Sequence, residues 1–104
     1  MAASRAYSGA VTYDDLLDLA RSLEDQPLTT VTGREFTVGI YLDGLFFTPA
    51  SSGNGQSEGR KAHERFLARY NETGSLRPSD YADVSRNASY LIGMLLARDG
   101  GRSR

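Results

Sequence analysis

The chain has 104 residues, 39% of them hydrophobic and 24% charged, with a formal net charge of −1 and no cysteine. That length supports one small domain with a single core, and the missing cysteines exclude a disulfide framework and thiol chemistry. The longest apolar run, Tyr90 to Ala97, falls far short of the roughly 20 residues of a membrane span, and the opening MAASRAYSGAV lacks the apolar stretch of a secretory signal, so a cytoplasmic location with no membrane partner is expected.

In chain order, residues 1–10 are small and polar and read as a frayed terminus. Thr12 then has the character of an N-cap, with Asp14 and Asp15 in the first turn where carboxylates meet the helix dipole. Tyr13, Leu16, Leu17, Ala20 and Leu23 recur at helical spacing behind it, and Pro27 stops the helix.

Leu28 to Thr32 favours extended structure, and from Phe36 to Pro49 two alternating apolar runs flank Asp43-Gly44, a strong hairpin signal. With Asp43 and Gly44 as a two-residue loop, Leu42 faces Leu45, Ile40 faces Phe47 and Val38 faces Pro49. One face is then wholly apolar (Phe36, Val38, Ile40, Leu42, Leu45, Phe47), and the other carries Thr37, Gly39, Tyr41, Phe46 and Thr48. Pro49 closes the strand and argues for an edge position.

Ser51 to Gly59 has three glycines and no large side chain and reads as a mobile loop. A second helix is expected from Glu58 or Arg60 to Tyr70, burying Phe66, Leu67 and Tyr70 with Ala62 or His63 one turn earlier. Gly74 suits a left-handed position after it, and Pro78 opens a short helix to about Asp83. A last helix begins near Ser85 or Asn87 and ends by Arg98, leaving residues 99–104 as a disordered basic tail. Its YLIGMLLA run is apolar nearly all round, suiting a core helix or a subunit interface, and Gly93 lets another backbone come close. The whole reads as one α+β domain over residues 11–98, in the order α-β-β-α-α-α, with the hairpin's apolar face covered by the first and last helices.

Charge is unevenly placed. Residues 1–50 carry three Arg against seven acids, and residues 51–104 carry nine basic groups against six acids. Lys61, Arg65 and Arg69 form a stripe at four-residue spacing on the second helix, with Arg60 just before it and Arg86 at the head of the last. Such a stripe can meet phosphates or can simply be a solvated face. The order helix, turn, short helix, polar-headed helix over roughly residues 36–98, with the hairpin, resembles winged-helix and helix-turn-helix domains, except that here the hairpin precedes the helical unit. The resemblance implies that Ser85, Arg86, Asn87, Ser89 and Tyr90 face base edges while Lys61, Arg65 and Arg69 meet the backbone, and Arg60 beside the glycine-rich loop is a further candidate nucleic-acid contact. Ser85 and Asn87 are equally ordinary cap residues.

Catalytic chemistry finds little support. Ser51 or Ser52 with His63 would place a nucleophile on a mobile loop, the glycine-rich segment lacks phosphate-loop spacing, and one His without Cys leaves no metal set. No cofactor is expected. The functional expectation is a small non-enzymatic binding module, an accessory or regulatory protein of a bacterium, phage or mobile element, with nucleic acid as ligand. The alternative is a protein-interaction module, either a homodimer or a subunit of a larger assembly.

Overall fold

The computed structural model describes residues 10–42 and 44–99. The expected frayed N-terminus, apart from Ala10, and the tail beyond Asp99 lie outside the described residues, as does Asp43. The fold is α+β: three helices and a short 3-10 turn around a four-stranded antiparallel sheet, ordered β1-β2-β3-β4.

Helix α1 (Tyr13–Leu23) starts on a capping box. Thr12 Oγ1 accepts from the Asp15 amide at 3.0 Å, and the Asp15 carboxylate accepts from the Thr12 amide at 3.0 Å, satisfying two otherwise free donors. Strands β1 (Leu28–Thr29), β2 (Glu35–Tyr41), β3 (Gly44–Pro49) and β4 (Gln56–Ser57) follow. Strand β1 lies within the Leu28–Thr32 segment expected to be extended, whereas the two-residue β4 was not expected: it is too short to show alternation, and its partner on β3 defines it. The segment read as a mobile loop thus contributes an edge strand.

The hairpin forms, in a register other than the expected one. Tyr41 pairs with Gly44, Ile40 with Leu45, Val38 with Phe47 and Phe36 with Pro49, so the two connecting residues are 42 and 43 rather than Asp43 and Gly44. Proline explains the choice. A loop at Asp43-Gly44 would place Pro49 opposite Val38 at a hydrogen-bonded site, where its missing N–H breaks the ladder. In the observed register Pro49 lies between bonded pairs, and the ladder continues through the Ala50 amide to the Glu35 carbonyl at 2.9 Å. Moving the turn by one residue shifts every pairing by two, so the pleat keeps its faces: Phe36, Val38, Leu45 and Phe47 are buried and Ile40 half-buried. Only Leu42 leaves the apolar face. Pro49 sits at the end of a strand flanked on both sides, beyond the reach of β4, which pairs only with Phe46 and Phe47.

Helix α2 (Arg60–Thr73) runs a turn or so past the expected Tyr70 and ends on Gly74 at φ 70°, whose amide bonds the Tyr70 carbonyl at 2.7 Å. The 3-10 turn (Pro78–Tyr81) stops before Asp83, and α3 (Ala88–Asp99) continues one residue past the expected domain end at 98. The core lies between the sheet's apolar face and the helices. Helix α1 packs on β2 and β3, and Tyr90 of α3 sets its ring 5.0 Å from Phe36 and 5.3 Å from Phe47. Gly93 is required: a Cβ there would lie 2.9 Å from the Phe36 ring and 3.0 Å from the Thr29 carbonyl oxygen. Asn71 ties α2 to the chain just before α1 by bonding both backbone groups of Val11, at 2.7 and 3.0 Å. No helix among the described residues is long and apolar enough to cross a membrane.

Candidate interaction surface

The basic residues divide by what they already bind. Arg69 grips Asp83 bidentately at 2.6 and 3.1 Å and donates to the Asp80 carbonyl at 2.8 Å, tying α2 to the segment before α3. The pairing holds the Asp83 carboxyl below its ordinary range and raises Arg69, in each case mainly through the hydrogen bond. Arg60 bonds Glu64 at 2.9 Å, the main cause of its raised pKa, and its Cζ lies 4.4 Å above the Tyr13 ring. Arg86 donates its backbone amide to Glu58 at 2.8 Å and its guanidinium to the Ser57 carbonyl at 3.1 Å. Lys61 and Arg65 are exposed, and among the described residues neither makes an ion pair.

The residues that the resemblance directs at base edges are differently placed. Ser85 and Asn87 are buried, at 4% and 2% exposure, and Ser89 and Tyr90 are half-buried. Glu58 seals this turn by accepting from Ser85 Oγ at 2.7 Å as well as from Arg86, and the Asn87 carbonyl accepts the first bonds of α3. Arg60 and Arg86 both flank the segment 57–60, whereas Arg69 lies about 13 Å further along α2 at 1.5 Å per residue.

The unoccupied chemistry lies at the tip of the hairpin. Leu42 is 82% exposed, Tyr41 69% and Phe46 38%. Val31 and Leu76 are exposed too, though scattered exposed apolar residues are ordinary. Leu42 has φ 51°, a left-handed conformation that a leucine disfavours by about 1–2 kcal/mol and that primed hairpin turns demand at this place. Two shallow cavities adjoin it: one of about 310 Å³ over Gly39 between Tyr41 and Phe46, and one of about 350 Å³ running from Leu42 and Phe46 to Glu58 and Arg60. Gly55 supports Phe46 from beneath, since a Cβ there would stand 1.8 Å from the ring.

Sequence reasoning placed Leu42 inside, and it missed Glu58, whose partners lie 27 and 28 residues away. The signal for Leu42 was present in Pro49, through the phase of the ladder. Among the described residues no group of three or more candidate ligands could hold a metal ion. Comparisons with protein-family models, curated proteins and solved structures give no match.

Proposed function

We propose that this chain is a small non-enzymatic binding module that inserts its hairpin tip into an apolar pocket of a different protein. The observation that carries the reading is Leu42, held at the turn in a conformation costly for its type and left 82% exposed. Strain and exposed apolar surface at one point are features of contact sites. A different protein is favoured over a second copy by shape and area. The tip is convex, and its three side chains offer roughly 400 Å², about half of the ~800 Å² per partner of a stable standard interface. A partner pocket would also enclose the hairpin's flanks; a second convex tip would not.

Nucleic acid is the competing ligand, supported by the exposed Lys61 and Arg65. It has less behind it, because Arg60, Arg69 and Arg86 are engaged within the protein and Asn87 is buried.

The test compares wild type with Leu42→Asn and Arg65→Glu, all confirmed as folded, in quantitative capture from a lysate of the source cells. Expected is a protein retained by wild type and Arg65→Glu and reduced at least tenfold by Leu42→Asn, with the free chain sedimenting as a monomer. Equal retention by Leu42→Asn, or no retention at all, contradicts the proposal. A mass that rises with concentration puts a second copy in the partner's place. Duplex binding that weakens steeply with salt and is lost in Arg65→Glu transfers the function to the basic stripe.

A further inference from the structure

His63 is the chain's one histidine, and it is wholly buried on the inner side of α2. Its Nε2 lies 3.3 Å from Glu58 Oε1, and neither ring nitrogen makes an aligned hydrogen bond. The Tyr13 ring stacks at 6.5 Å and Phe47 meets it edge-on at 6.2 Å. The same Glu58 carboxylate accepts from Ser85 Oγ and the Arg86 amide, and Ser85 Oγ accepts from the Asn87 amide at 3.2 Å. Asn87 Nδ2 is a further buried atom without a partner. Buried polar groups left unpaired are costly, so their clustering at one junction calls for a reason.

The charged and titratable surroundings are few. Helix α1 supplies Tyr13, α2 supplies Arg60, which lies over Tyr13 and is paired with Glu64, and the turn before α3 supplies Arg86. Strand β3 meets the ring through Phe47, which carries no charge. Among the described residues, Glu58 is the one carboxylate within ion-pair distance of the imidazole.

We infer that Glu58 and His63 form an acid-sensitive latch on the start of α3. With His63 neutral, the carboxylate serves Ser85 and Arg86 and holds the turn closed. Once the imidazole is protonated, its buried charge requires that same carboxylate, the bonds to residues 85 and 86 weaken, and the head of α3 loosens. The direction of the pH effect follows from burial, which pushes the His63 pKa below its ordinary 6.5 more than Glu58 raises it. The unfolded chain then takes up this proton first as pH falls. Stability present above about pH 6.5 is lost as pH drops from there toward the lower folded value.

A single histidine makes the test unambiguous. The imidazole nitrogens of wild type are titrated by NMR from pH 8 to 5, with amide exchange at Arg86 and Asn87 corrected for its intrinsic pH dependence. Expected are a midpoint below 6.5, a neutral form carrying its proton on Nε2, and at least tenfold faster exchange once His63 is charged. His63→Phe keeps a ring in the aromatic surroundings and should abolish that step. A midpoint at or above 6.5, exchange indifferent to the titration, or the same step persisting in His63→Phe would overturn the latch. If His63→Phe does not fold, the wild-type titration and exchange decide alone.

Discussion

Leu42 and Leu45 stand three residues apart at the same turn, yet one is 82% exposed and the other 1%. Their chemistry is identical, so the difference comes from register alone. Leu45 stands opposite Ile40 on the face that α1 and α3 cover, whereas Leu42 belongs to the connection and has no cross-strand partner. The base of the hairpin spends its apolar surface on the core, and the tip leaves its own exposed. Between them, Pro49 sets the phase that makes the division, because only one placement spares the ladder a missing donor.

The comparison can be broken by mutation, beginning with the leucines. Leu45→Ala should cost about 2–5 kcal/mol in urea unfolding, and Leu42→Ala should stay within about 0.5 kcal/mol. Equal losses would show that the tip is part of the core. At the sheet–helix junction, Gly93→Val should destabilise by about 1–3 kcal/mol, because neither the Phe36 ring nor the Thr29 backbone can withdraw freely. Asn71→Ala should cost about 1–2 kcal/mol by leaving both Val11 backbone groups without their partner. Leu42→Asn sharpens the contrast, since asparagine tolerates positive φ: a gain of about 0.5–1 kcal/mol is expected together with loss of partner binding. Gly55→Ala should have the smallest effect on stability, because the half-exposed Phe46 ring can swing away, and its readout is weakened docking at unchanged melting temperature.

Much of the fold was legible where the controlling residues are neighbours. Thr12 and Asp15 are three apart and announced the start of α1; Gly74 announced the end of α2; the hairpin's alternation announced which residues turn inward. What escaped notice depends on distant residues. β4 is a strand only because β3 lies beside it, and the Asn71 clamp spans 60 residues. The candidate site was less legible still. Spacing along α2 drew Lys61, Arg65 and Arg69 as one row, and nothing local revealed that Arg69 would meet Asp83 fourteen residues on, or that Glu58 would close over Ser85 and Arg86. The exposed tip was hidden by the strength of the Asp43-Gly44 signal, which masked the check on ladder phase that Pro49 offered.

The placing of Leu42 outside the ladder is tested most directly by cross-strand Hα–Hα contacts in an NMR spectrum, since these are short only at pairs without direct hydrogen bonds. Strong contacts between Ile40 and Leu45 and between Val38 and Phe47 are expected. A strong contact between Tyr41 and Phe46 instead would put the turn at Asp43-Gly44, return Leu42 to the buried face and remove the exposed apex on which the proposed docking rests.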